Sequence, residues 1–199
     1  MSETLFKGRY RNGSNRKPFW DYRNSGAYFI TICTKDRTHY FGEIIDGQII
    51  LSPLGAIANV LWHEIQHHTK NCYLGEYIVM PDHIHGILIL ENNYQKNDDP
   101  VAFCRHVACN VPTECNVPTG NKNEFMSAIS PEKNSISTIV RSYKSAVTKH
   151  ANRLGFDFQW QSRFYDHIIR NNESFERITT YILNNPKEWQ QKRSIVQQT

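Results

Sequence analysis

The sequence has no apolar run long enough to cross a membrane. Its most apolar stretch, Tyr77 to Glu91, is interrupted by Pro81-Asp82 and falls short of the roughly 20 residues a spanning helix needs. No apolar segment near Met1 reads as a secretory signal. A disulfide framework is also lacking: five cysteines, an odd number without regular spacing, fit reduced thiols. Charge of one sign is not dominant either, since 23 Lys and Arg face 19 Asp and Glu for a net +4. That balance is too mild to establish a nucleic-acid partner by itself. No Walker-type phosphate loop is present, which removes nucleotide hydrolysis of that kind. These absences predict a soluble, cytoplasmic protein. Its 199 residues predict one domain with an arm or insertion, and 39% apolar and 12% aromatic residues suffice for a core.

What is present centres on Tyr77 to Glu91, rich in Ile and Val, which reads as two short buried strands or one kinked strand. His83 and His85 sit just after the break. Residues two apart on a strand share a face, so both imidazoles project together while Ile84 points the other way into the core. Buried polar rings need partners, and one divalent cation would serve both.

Elsewhere the chain alternates strand and helix signals. The opening arm, Lys7 to Arg23, carries six Lys or Arg against one Asp, with Tyr10, Phe19, Trp20 and Tyr22 interleaved. That composition suits phosphates and unpaired bases; packing of the aromatics back onto the domain is the competing reading. The organisation expected is an arm over 1–25 and a domain over 26–199. Ala27 to Thr34 predicts a strand, and Asp46-Gly47 between β-prone runs predicts a hairpin. Ser52-Pro53 predicts the start of a helix reaching about Thr69. Its His63, His67 and His68 read as a polar face and as charge at the helix C-terminus.

Asn92 to about Lys133 is polar and turn-rich and holds a near-duplicate, Cys109-Asn-Val-Pro-Thr and Cys115-Asn-Val-Pro-Thr. It reads as a flexible insertion. Cys104, His106, Cys109 and Cys115 could form a small zinc knuckle, but the repeat explains their spacing more simply. An apolar stripe through Ile139, Tyr143 and Val147 predicts a helix over 137–154. A strand-like aromatic stretch follows over 158–170. A last helix, capped by Asn172 or Ser174, is expected to run to about Asn185, where Pro186 breaks or kinks it. This order predicts an α+β fold, an antiparallel sheet with helices packed on one face.

Tyr181 and Asn185 are four apart and so stand on one helical face. If that helix packs beside the histidine strand, Asn185 offers an amide oxygen and Tyr181 a phenol near the same point. Two nitrogens, one oxygen and open positions suit Mg²⁺ or Mn²⁺ better than a closed structural zinc.

With these residues in view, the chain resembles the single-tyrosine HUH transposases, most closely their REP-associated (RAYT-like) branch. The matching pieces are Phe29-Ile-Thr-Ile-Cys33, Val79-Met-Pro-Asp-His-Ile-His-Gly86, Trp160-Gln-Ser-Arg-Phe-Tyr-Asp-His-Ile-Ile-Arg170 and Tyr181-Ile-Leu-Asn-Asn-Pro186. They span about residues 22 to 190, outside the insertion. The resemblance implies a ferredoxin-like or RRM-like antiparallel sheet, with His83, His85 and Asn185 as metal ligands and Tyr181 as nucleophile. Tyr143 is a rival nucleophile by composition, disfavoured because it falls in the apolar stripe. The implied reaction is nicking and joining of single-stranded DNA, often with hairpin ends, through a 5′-phosphotyrosine and a free 3′-hydroxyl, assisted by Mg²⁺ or Mn²⁺. Monomeric and homodimeric members both exist. Arg9, Arg11, Arg141, Lys144, Arg163 and Arg170 are candidate DNA contacts. The alternatives are a non-catalytic nucleic-acid-binding module on the same fold and a domesticated host nuclease.

Overall fold

The computed structural model describes residues 20–91 and 134–196, the side chains only as far as residue 191, and the backbone of two short strands in the arm. Those strands, β1 (Leu5–Phe6) and β2 (Tyr10–Arg11), pair antiparallel. The 92–133 insertion with its cysteines, and the side chains of Arg9 and Arg11, lie outside the described residues.

Alternation of β-branched and aromatic residues builds β3 (Gly26–Cys33). A hairpin follows, β4 (Gly42–Ile45) and β5 (Gln48–Leu51). Asp46 and Gly47 join its strands with φ of 50° and 70°, the left-handed pair that a tight two-residue turn requires. The first helix, α1 (Pro53–His68), starts as the sequence predicts: the Ser52 hydroxyl accepts from the Gly55 N–H, and Pro53 takes the first helical position. The apolar centre then folds into two strands, β6 (Cys72–Met80) and β7 (His83–Leu90), with Pro81-Asp82 as the turn between them.

After the insertion come α2 (Ile136–Arg153), capped by Ser135, then β8 (Tyr165–Ile169) and α3 (Asn172–Val196). The aromatic stretch is thus a strand only in its second half. Its first half packs Phe158 and Trp160 on the core, and Trp160 bridges to Thr34. Two expectations for the last helix fail. Asn171 is the residue that caps it, its side-chain oxygen accepting from the Ser174 N–H at 2.8 Å. Pro186 neither ends nor splits it: α3 runs on to Val196 with Pro186 buried inside. Packing of α3 against β6 and the β4–β5 hairpin holds the helix where propensity alone would stop it.

Strands β6, β7, β3 and β8 form one antiparallel sheet in that order. Strand, helix, hairpin, helix, strand with this order is the ferredoxin-like arrangement. Helices α1 and α2 cover one face, where Tyr28, Ile30, Ile84 and Leu88 meet Trp62, Val140 and Tyr143. Helix α3 covers the other, placing Ile178 and Ile182 on Phe29, Ile87 and Ile169. The helices are therefore on both faces, not one. Of the arm's aromatics, Trp20 and Tyr22 pack against the larger core, and the Trp20 indole N–H reaches the Tyr28 hydroxyl at 3.3 Å.

Candidate active site

Strand alternation puts His83 and His85 on the α3 face and Ile84 on the α1–α2 face, where it is fully buried. The two imidazoles converge, their Nε2 atoms 3.0 Å apart. Each ring is held from behind through Nδ1. The His83 Nδ1 lies 2.5 Å from the Asp82 carboxylate, and the His85 Nδ1 lies 2.9 Å from the Thr31 hydroxyl. Thr31 is the cross-strand partner of His85 in β3, so sheet register delivers it.

The Asp82 carboxylate can only accept, so His83 donates Nδ1–H to it and turns its Nε2 towards His85. The Thr31 hydroxyl can accept from the His85 Nδ1–H, and in that tautomer the His85 Nε2 lone pair faces the same point. Burial, with His83 and Arg37 close by, pushes the His85 pKa down to about 3, which keeps the ring neutral.

Asp82 is itself braced. Its carboxylate is buried and meets the Arg37 guanidinium at 2.9 Å, which also reaches the Cys33 sulfur at 2.9 Å. Arg37 is aimed by a tight turn in which Asp36 and Arg37 both adopt positive φ, 55° and 57°. Non-glycine residues adopt that conformation at a cost, usually where the surroundings enforce it. Backbone bonds from Thr34 N to the Asp82 carbonyl and from Phe41 N to the Pro81 carbonyl fix the turn before His83.

Helix α3 lies over this pair. The Tyr181 hydroxyl stands 3.4 Å from the His85 Nε2, and its ring is 40% exposed, so solvent and a substrate can reach it. Two turns on, Trp189 sets its ring 5.5 Å from that of His83. Asn185 falls between them on the same helical face, buried, and its amide makes no hydrogen bond to another described residue. One chain thus supplies both histidines, the tyrosine and the amide. Among the described residues no group of three or more His, Cys, Asp or Glu side chains is placed to hold a metal. A cation here would rest on the two imidazoles and the Asn185 amide.

The rival tyrosine is elsewhere. Tyr143 is buried on the α1–α2 face and donates its hydroxyl to the Ala58 carbonyl at 2.8 Å. Burial also raises its pKa well above the usual phenol value. Of the predicted DNA contacts, Lys144 is occupied: its ammonium donates to the carbonyls of Gln161 and Arg163 and sits over the Trp160 ring. Arg141 is exposed on α2, away from the histidines; Arg163 and Arg170 are exposed before and after β8. His63 pairs with the Tyr77 hydroxyl at 2.6 Å, and His68 lies 3.8 Å from Glu64. Sequence reasoning missed Arg37, Asp82, Thr31 and Trp189 as parts of the site. Asp82 and Thr31 were visible inside the matched motifs, and Trp189 stands one turn beyond Asn185. No local signal pointed to Arg37.

No protein-family model matches the chain. A Haemophilus influenzae protein described as uncharacterized is 33% identical over 201 residues, across 98% of this chain and 99% of its own length. Among solved structures, a REP-associated tyrosine transposase bound to a REP hairpin superposes with a TM-score of 0.51 at 16% identity, over 87% of this chain and 74% of that one. At that identity the likeness is one of fold. The chain belongs to the family of the Haemophilus influenzae protein, built on the fold that the REP-associated transposase also uses.

Proposed function

We propose that the protein is a transposase-type tyrosine nuclease that nicks and joins single-stranded DNA. The observation that carries this reading is the approach of the exposed Tyr181 hydroxyl to within 3.4 Å of a convergent histidine pair. The structure of like fold was solved with a REP hairpin bound, which supports DNA as the substrate here.

The donor set fits a divalent cation. Two Nε2 atoms converge at 3.0 Å, both Nδ1 atoms are engaged from behind, and the buried Asn185 amide has no competing partner among the described residues. Mg²⁺ or Mn²⁺ held by His83, His85 and Asn185 would supply positive charge against the oxygens of the scissile phosphate. The protein's own residues do the rest. Asp82 and Thr31 fix the ring orientations, and Phe29 packs on both His85 and Tyr181, holding the phenol in place. The Tyr181 oxygen attacks phosphorus and the bond to the 3′ oxygen breaks. A 5′-phosphotyrosine remains, the phenolic proton passes to solvent, and the departing 3′ oxygen takes up a proton. Attack by a second 3′-hydroxyl reverses the step and joins strands without ATP.

The test is incubation of labelled single-stranded oligonucleotides, including hairpin ends from the host locus, with Mg²⁺ or Mn²⁺. The expected product is a protein–DNA adduct that survives a denaturing gel and is absent in Tyr181→Phe and His83→Ala. An adduct persisting in Tyr181→Phe would sink the assignment. No adduct from folded wild-type protein on any of these substrates would favour a binding module without chemistry.

A further inference from the structure

A groove of about 650 Å³ runs between β8 and the first turns of α3, lined by Tyr165, His167, Arg170, Ser174 and Arg177 among others. We infer that it holds the backbone of a single-stranded nucleic acid adjoining the phosphate that Tyr181 attacks, with Arg170 and Arg177 on phosphates and Tyr165 beneath a base. This rests on the nuclease reading above for Tyr181, but on different residues.

Four observations point to it. Arg170 and Arg177 are both exposed and face one space from two different elements, so their charges are available together. The acidic members of the lining are Asp166, which is buried on the other side of the sheet, and Glu173. Tyr165 is 48% exposed, a large aromatic face presented to solvent at the sheet surface. Such a face is what an unpaired base stacks on.

The groove also leads to the right place. Ser174, Arg177 and Tyr181 follow one another at spacings of three and four along α3, so they form one stripe on the helix. Across the sheet, Tyr165 pairs in register with Thr31, and Thr31 pairs with His85. Phe29 touches both Tyr165 and Tyr181, its ring centroid 6.5 Å and 6.1 Å from theirs. A strand with one phosphate at the Tyr181 hydroxyl therefore meets Tyr165 and then the arginines as its neighbouring nucleotides extend along β8. Duplex fits this arrangement poorly, because its bases are not free to lie on Tyr165. The arginine contacts are to charge, so the groove selects a single strand rather than a sequence.

Binding of a fluorescein-labelled oligothymidine of 20 nucleotides tests the inference, read by anisotropy in EDTA across a salt series. Omitting the cation separates binding from cleavage. The double variant Arg170→Ala/Arg177→Ala should lose about tenfold or more in affinity. Its log–log salt slope should flatten by about 1.4, two contacts at roughly 0.7 each on a single strand. Arg170→Lys/Arg177→Lys should restore most of the slope. Tyr165→Ala should cost about tenfold on the oligothymidine and leave a duplex of equal length unaffected, while Tyr165→Phe behaves as wild type. Arg153→Ala, exposed in the last turn of α2, serves as the control and should change neither quantity by more than a single weak contact would. An unchanged slope in the double alanine variant would overturn the groove, as would equal loss in Arg153→Ala. The nuclease reading fails separately. Adduct at Tyr181 with an unaffected slope removes only the groove; a flattened slope with no adduct removes only the chemistry.

Discussion

The two faces of the central sheet are built from alternate residues of the same strands, yet they are different kinds of surface. On the α1–α2 face, the described residues make one large apolar cluster. Trp62 is fully buried against Tyr77 and Tyr143, and the Tyr143 hydroxyl spends its hydrogen bond on a helix carbonyl. On the α3 face, the residues between the isoleucines are His83, His85 and Thr31, covered by a helix that brings a phenol and an amide. Two tyrosines mark the contrast, Tyr143 sealed in one face and Tyr181 half-open on the other. The lesson is that a five-residue motif can serve stability and chemistry at once, because successive side chains leave the sheet in opposite directions.

If the faces are separable in this way, changes on one should move stability and changes on the other should move metal binding. The largest effect is expected at Gly86, whose absent side chain lets Trp62 lie against β7. A Cβ there would come within 2.2 Å of the indole ring. Gly86→Ala should cost about 3 kcal/mol or more by denaturant titration, since neither sheet nor buried indole can yield cheaply. A cost under about 0.5 kcal/mol would show that the core is looser than its packing implies.

Next in size is Asp82→Ala. Loss of the carboxylate frees the His83 ring and leaves Arg37 without its carboxylate partner, so Mn²⁺ affinity should fall by about 10- to 100-fold, measured by calorimetry or electron paramagnetic resonance. Unchanged affinity in a folded variant would remove the orienting role. The smallest effect is at Tyr143→Phe, which deletes one buried hydrogen bond and should cost about 1 kcal/mol while leaving adduct formation intact. Loss of the adduct there, without unfolding, would break the division between the faces.

Much of this contrast was legible from residue order. Strand alternation alone placed Ile84 opposite the two histidines, and a spacing of four placed Asn185 beside Tyr181 on one helical face. The element order also follows from local signals: Ser52-Pro53 opening a helix and Asp46-Gly47 closing a hairpin are short-range chemistry. What could not be read is what depends on tertiary packing. Pro186 is a helix breaker by every local rule, yet α3 passes through it while packed on β6 and the β4–β5 hairpin. Arg37 reaches Asp82 only because a turn with two left-handed residues aims it there. Lys144 looked like a free cation, and its neighbours in space, not in sequence, occupy it.

The unbroken course of α3 decides how the histidines are enclosed. A helix of 25 residues rises about 37 Å, and this one carries Tyr181, Asn185 and Trp189 at spacings of four. Had it ended at the proline, Trp189 would not stand against His83. Because it continues, a single helix roofs both imidazoles, Tyr181 at His85 and Trp189 at His83, while Ile178 and Ile182 anchor it to the sheet.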